Sequence, residues 1–241
     1  MRKPQRHKPN PRQTMTLALI PARAGSKSIK NKNLAPLANH PLIYYTIEAA
    51  KAAACIDKIV VSSDGEAILD YAASQNIETL RRPKELATDS TQSHEVLLHA
   101  LEHYKECEHI VLLQPTSPLR TSEDIDRAYK IFVSKKANAL ISVCKVDSKI
   151  LKSFMANENG ELRGIANNTY PFMPRQNLPQ TYQSNGAIYI VKRELFVENP
   201  SFLPEHTHYY LMEEETSLDI DTMVDLQKAE SRIKHNREEK A

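Results

Sequence analysis

The chain has 241 residues, 41% hydrophobic and 26% charged, which suffices for one globular domain with a full core. A formal net charge of +2 excludes a bulk field as the basis of partner choice, so anion binding must come from local clustering. No stretch approaches the roughly 18 consecutive apolar residues of a membrane span, and residues 1–13 lack the apolar run of a secretion signal.

Residues 1–13 carry Arg2, Lys3, Arg6, Lys8 and Arg12 with Pro4, Pro9 and Pro11 and no acid, the composition of a disordered basic extension. A nucleic-acid or nuclear-targeting arm is the alternative reading. One domain is then expected over 14–236, with a tail at 237–241. It opens with a short apolar strand at 17–20, which breaks at Pro21 and Gly25 into a loop carrying Arg23, Lys27, Lys30 and Lys32 among Ser26, Asn31 and Asn33. A helix is expected at 41–54, a β-branched strand at 58–63, a helix at 66–75 and a short strand at 77–80. An amphipathic helix follows at 92–105, then a strand at 110–113 and a helix at 123–134 with Thr121 or Ser122 as its cap. After a strand at 139–143 the rhythm stops. Residues 145–184 are polar and Pro-broken, too long for a bare loop, and predict a small excursion of short antiparallel strands that packs on a second subunit. A strand at 186–191, a short helix at 194–197, strands at 208–212 and 217–221, and a final helix from 222 to about 234 complete the chain. This alternation of apolar strands and helices predicts an α/β fold: a doubly wound, mostly parallel sheet with helices on both faces. Cys55, Cys107 and Cys144 are odd in number, widely spaced and beside core elements, so free thiols in a reducing, cytoplasmic setting are expected.

Ligands of such sheets sit beyond the carboxyl ends of the strands. That rule puts the cationic loop, Ser62 to Asp64 and residues 114–120 on one rim. A loop with Arg, Lys, Ser and free N–H groups suits a polyphosphate, although it is neither a Walker loop nor a dinucleotide turn. On charge alone a solvated basic loop is the alternative. Asp219 and Asp221 flank Ile220, so in an extended strand both carboxylates share a face and call for a cation. Hard oxygen ligands beside phosphates suit Mg²⁺, whereas a plain helix cap by Asp221 or Thr222 is the bland alternative. Gln114, at a strand tip between Pro115 and Pro118, offers an amide donor and an acceptor for a sugar hydroxyl or N-acyl group. His99 and His103 lack a third ligand, and Glu213 to Glu215 read as a solvated turn.

The motifs Ile20-Pro-Ala-Arg-Ala-Gly-Ser-Lys27, Val60-Val-Ser-Ser-Asp64, Glu85-Leu-Ala-Thr-Asp89, Leu113-Gln-Pro-Thr-Ser-Pro-Leu-Arg120, Asn185-Gly-Ala-Ile-Tyr189 and Asp219-Ile-Asp-Thr222 occur in order, spread from Thr16 to Ile233. In this the chain resembles the CMP-sialic acid synthetase (acylneuraminate cytidylyltransferase) family. The resemblance implies a Rossmann-like nucleotidyltransferase acting on CTP and a nine-carbon acidic keto sugar. It implies that Arg23, Ser26, Lys27, Lys32 and Asn33 hold the triphosphate, and that Arg82 and Ser93 help recognise the cytidine. It further implies that Gln114, Asn185, Tyr189 and Phe202 line the sugar pocket and that Asp219 and Asp221 hold Mg²⁺. A homodimer would bring Lys152 and Arg175 of the excursion to a neighbour's site. Legionaminic, pseudaminic or another keto-deoxy sugar is the alternative substrate. A silent nucleotide- or nucleic-acid-binding module is the remoter one. The departures at Ala24, Ser63, Gln183 and Leu203 lie nearer the sugar pocket than the CTP site.

Overall fold

A computed structural model describes residues 14–238; the expected basic extension at 1–13 and residues 239–241 of the expected tail lie outside the described residues. In chain order the elements are β1 (Thr16–Pro21), β2 (Pro36–Leu37), β3 (His40–Pro41), α1 (Leu42–Ala52), β4 (Lys58–Ser63), α2 (Glu66–Ser74), β5 (Glu78–Arg81), α3 (Ser93–His103), β6 (His109–Leu112) and α4 (Ser122–Ser134). There follow β7 (Ala139–Val146), β8 (Phe154–Ala156), β9 (Leu162–Gly164), β10 (Thr181–Lys192), α5 (Arg193–Glu198), β11 (Thr207–Leu211) and α6 (Met223–Glu238). The last helix therefore runs four residues past its expected end.

Seven strands form one sheet in the order β11-β7-β10-β6-β1-β4-β5. β1 pairs in parallel with both β4 and β6, so the winding direction reverses at β1 and opens a crevice at its carboxyl end. β10 is the exception to the parallel rule, antiparallel to β6 and β7. The reason is local. The excursion leaves from the end of β7 and returns at the same rim, where Thr181 lies opposite Val146, so the returning strand must run downward.

Alternation along β1 feeds two layers. Ala18 and Ile20 face the cluster holding Ile43 and Ile47 of α1, Ile68 of α2 and Phe132 of α4. Leu17 and Leu19 face Leu97 and Leu101 of α3 and Phe196 of α5. Each fully buried Leu or Ile stabilises the fold by about 1.5–3 kcal/mol, which fixes the strand tip where the cationic loop begins. A third cluster lies off the sheet. Ile29 from the cationic loop and Ile220 from between the two aspartates pack with Leu37, Leu42 and, on α6, Leu226, Ala229 and Ile233. One apolar contact thus ties the loop to the acidic segment.

Residues 217–221 do not pair as a strand, contrary to expectation. The segment is extended but bonds to the 114–120 loop, with the Ile220 N–H donating to the Thr116 carbonyl at 2.8 Å. Ile220 is still fully buried, so the alternation survives without a ladder. In the excursion β8 and β9 pair antiparallel, with short 3₁₀ turns around them, as its composition led one to expect. Cys55, Cys107 and Cys144 are free. Among the described residues no helix is long and apolar enough to cross a membrane.

Candidate functional site

A cavity of about 310 Å³ opens at the carboxyl ends of β1, β5 and β6. Its wall includes Arg23, Ser26, Lys32, Asn33, Arg82, Ser93, Gln114, Asp219 and Asp221, nine of the residues expected there. The loop after β1 is closed by its own side chains. Asn33 Nδ2 donates to the Arg23 carbonyl at 2.9 Å, and the Asp64 carboxylate accepts from the Ala24 N–H at 2.9 Å. Ala24 packs so tightly on Gly65 that a Cβ at 65 would meet the Ala24 Cβ at 2.7 Å. The amino end of α3 supplies Ser93. A capping box between Gln92 and Glu95 closes that end, the Gln92 N–H donating to the Glu95 carboxylate at 2.6 Å, and the positive dipole end of the helix favours an anion.

On the opposite wall, Lys32 is largely buried and donates to the Ile220 carbonyl at 2.8 Å and to Asp221 at 3.2 Å. Asp219 is held above the ordinary carboxylate range, first by burial and then by the neighbouring charge of Asp221, against the opposing pull of Thr116 and Lys32. The helix-cap alternative can be decided here. Thr222 caps α6 by exchanging bonds with Asp225, at 2.8 Å from the Thr222 N–H and 3.3 Å from the Asp225 N–H. The Asp221 carboxylate is therefore not consumed as a cap.

Arg82 is 5% exposed, donates to the carbonyls of Ser62 at 2.8 Å and Leu86 at 3.3 Å, and is lowered by burial to about 10. It remains a cation at neutral pH. Behind Gln114, the buried Arg120 donates to the Ala187 carbonyl at 2.9 Å and the Gln114 carbonyl at 3.3 Å, pinning the strand tip.

Six expected residues are not brought to the cavity wall. Lys27 is highly exposed and paired with Asp89 at 2.6 Å. Asn185 is buried behind Gln114. Tyr189 bonds Ser184 at 2.8 Å and packs on Phe202, which in turn packs on Phe196. Lys152 and Arg175 stay in the excursion, Arg175 paired with Asp147 at 3.2 Å. Conversely, the sequence assigned no role to Thr91 and Thr116 on the wall or to Asp64 beneath the loop, although Thr116 and Asp64 lie in segments it put on the rim. It also missed Asp89, which bridges Arg23 and Lys27 at 2.6 Å each. Asp64 had a signal, an acid one residue past a strand tip. Asp89 closes the Glu85-Leu-Ala-Thr-Asp89 motif, but nothing local marks its pairing, since its partner Arg23 lies 66 positions away.

Among the described residues no group of three or more His, Cys, Asp or Glu could hold a metal. Asp219 and Asp221 are hard donors, and a cation between them would relieve the repulsion that raises Asp219. The pair therefore fits a cation such as Mg²⁺ whose other positions go to phosphate oxygens and water.

A cytidylyltransferase profile matches residues 17–239. An N-acylneuraminate cytidylyltransferase of Escherichia coli O18:K1:H7 is 36% identical over 219 residues, which are 90% of this chain and 51% of that protein. The CMP-N,N'-diacetyllegionaminic acid synthase of Legionella pneumophila is 33% identical, over 92% of this chain and 97% of that protein. The chain thus spans about half the length of the first relative and nearly all of the second. Among solved structures, a CMP:2-keto-3-deoxy-manno-octonic acid synthetase complexed with CTP superposes with a TM-score of 0.72 at 16% identity, covering 92% of this chain and 100% of that one. At that identity the likeness bears on the fold alone.

Proposed function

Because the chain belongs to the cytidylyltransferase family, we propose that it transfers CMP from CTP to the anomeric hydroxyl of a nine-carbon α-keto acid sugar of the sialic type, releasing pyrophosphate. The observation that carries this reading is the single cavity that faces a cationic loop and a helix amino end with two aspartates, with Gln114 between them. Arg23, Lys32, Ser26 and Asn33 meet the triphosphate, and Lys27 joins them once released from Asp89. Arg82 and Ser93 recognise the cytidine side, and Gln114 orients the sugar. Asp219 and Asp221 hold Mg²⁺, which when bound shields the charge of the α-phosphate and of the leaving pyrophosphate. The chain's own contribution is to align the sugar hydroxyl with the α-phosphorus and to neutralise developing charge in a water-poor cleft. Lys32 lies where it can pass from Asp221 to a phosphate oxygen as charge moves to the leaving group.

The sugar itself has two readings. The near full-length match to a legionaminic acid enzyme favours a legionaminic or pseudaminic acid over sialic acid proper. We place the enzyme in the cytoplasm as a homodimer, with the excursion of each subunit presenting Lys152 and Arg175 to its neighbour. The exposed Phe154, Leu162 and Phe172 support a covered face there. Pyrophosphate release from CTP with sialic, legionaminic, pseudaminic and eight-carbon keto-deoxy acids tests the reaction and ranks the sugars. No release with any of them sinks the reading.

A further inference from the structure

Asn185 has no hydrogen-bonding capacity left for a ligand. It is 5% exposed, and its Oδ1 accepts from Ser142 Oγ at 2.6 Å and from the Ala187 N–H at 3.2 Å. Its Nδ2 donates to Ser217 Oγ at 2.9 Å and to Met212 Sδ at 3.2 Å. Both donors and both acceptor positions of the amide are filled. The groups it holds belong to two different walls of the cavity. Ser217 Oγ also donates to the Glu213 carbonyl at 2.7 Å, so the amide grips the start of the segment that carries Asp219 and Asp221. The Asn185 carbonyl accepts from Ser117 Oγ at 3.3 Å, gripping the loop that begins at Gln114. Next in the chain, Gly186 has φ +73°, and a Cβ there would stand 2.5 Å from Gln114 Oε1. The pairing of β10 with β7 shifts register between Ser184 and Tyr189, the kind of irregularity that re-aims residues beside a site.

We infer that Asn185 and Gly186 are one positioning junction: Asn185 sets the acidic pair against the Gln114 loop, and Gly186 gives the Gln114 side chain the space that determines which sugar fits. The ligand names rest on the reading under Proposed function; the anchoring does not.

Ser217→Ala removes both bonds of this hydroxyl, from Asn185 Nδ2 and to the Glu213 carbonyl, and leaves the backbone intact. Amide exchange across 217–222 in the ligand-free protein should rise about tenfold, with the melting temperature little changed. The Mg²⁺ needed for half-maximal turnover should rise about three- to tenfold, and Ser217→Thr, which keeps the hydroxyl, should restore both values. Gly186→Ala should raise KM for the sugar about tenfold or more while KM for CTP moves less than about twofold. Unchanged exchange in Ser217→Ala overturns the inference, as does an equal rise of both KM values in Gly186→Ala. If Gly186→Ala does not fold, the Ser217→Ala exchange decides alone. Inactivity of the unmodified protein with every sugar would count against cytidylyl transfer, while the exchange experiment would still decide the anchoring.

Discussion

Two cation-bearing segments leave the same rim of the sheet and are held in opposite ways. The loop after β1 is closed by the chain itself: Asn33 bonds the Arg23 carbonyl, Asp64 holds the Ala24 N–H, and Ile29 is buried beside Ile220. The excursion between β7 and β10 is closed at its base, where Ser148 Oγ donates to the Pro179 carbonyl at 2.7 Å, but much of its apolar surface stays outside any core. Phe172 is 81% exposed and Leu162 67%, and Arg175 pairs only with Asp147 at the excursion's own entrance. Where the chain's own core closes a segment, residue type and position together predict a site. Where it does not, the sequence supplies the chemistry and another surface must supply the place.

The largest expected effect comes from removing a charge on the closed side. Asp219→Asn and Asp221→Asn should each lower kcat by about 10²-fold or more, as loss of an electrostatic group that acts at the reacting centre does. Stability should not follow. Since the folded pKa of Asp219 lies above its unfolded value near 3.8, the folded state holds more protons between the two values. Stability therefore falls as pH rises through that window, and the charged group is a cost at neutral pH. Asp219→Asn should melt at the same temperature or higher. A clear drop in melting temperature would remove the burial argument. The acid limb of kcat/KM should lie above that of an ordinary carboxylate and move to lower pH as Mg²⁺ is raised. A limb indifferent to Mg²⁺ would separate Asp219 from the metal.

Lys32→Ala tests the cation that faces this acidic pair. It should reduce kcat/KM for CTP by about 10- to 100-fold. Loss of its bond to the Ile220 carbonyl should cost no more than about 1.5 kcal/mol of stability. A loss of activity that merely tracked a loss of folded protein would make Lys32 a brace for residues 219–221 instead.

The excursion should give a partial effect and the sharpest contrast. If its cations serve a neighbouring site, Arg175→Ala is inactive alone, and so is Asp219→Asn. Mixed after verified subunit exchange, the two should recover roughly a quarter of wild-type activity, because one site in each heterodimer is intact. A fully active monomer by sedimentation, or no recovery in the mixture, would place Arg175 outside the chemistry.

The same contrast governs what could be read from the sequence. Strand and helix order followed from apolar periodicity because buried strands leave continuous apolar runs, as at Leu17 to Ile20 and Val60 to Val61. The segment at 217–221 was read as a strand because Asp219-Ile220-Asp221 alternates. An extended segment that bonds a loop through one N–H alternates in the same way, so periodicity cannot separate the two. The direction of β10 depended on where the excursion returns, which no local pattern records. Asn185 was expected at the sugar only because the family resemblance implies it. In the structure, the register break and three distant partners, Ser142, Met212 and Ser217, use up its amide.

The smallest expected effect belongs to Asp89, whose motif was legible in the sequence but whose ion pairs were not. Its carboxylate bonds Lys27 and Arg23 at 2.6 Å each, and these two cations, Lys27 first, hold it below the ordinary carboxylate range. On the proposed reading it would compete with a phosphate oxygen for these two cations. Asp89→Asn keeps the size and removes the charge, leaving both cations without their counter-ion. KM for CTP should fall about two- to fivefold, with kcat nearly unchanged, because an exposed ion pair contributes little and is screened by salt. The difference between variant and wild type should shrink as ionic strength rises. If kcat falls instead while KM stays level, Asp89 orients Arg23 for the reaction and is not a competitor for its ligand.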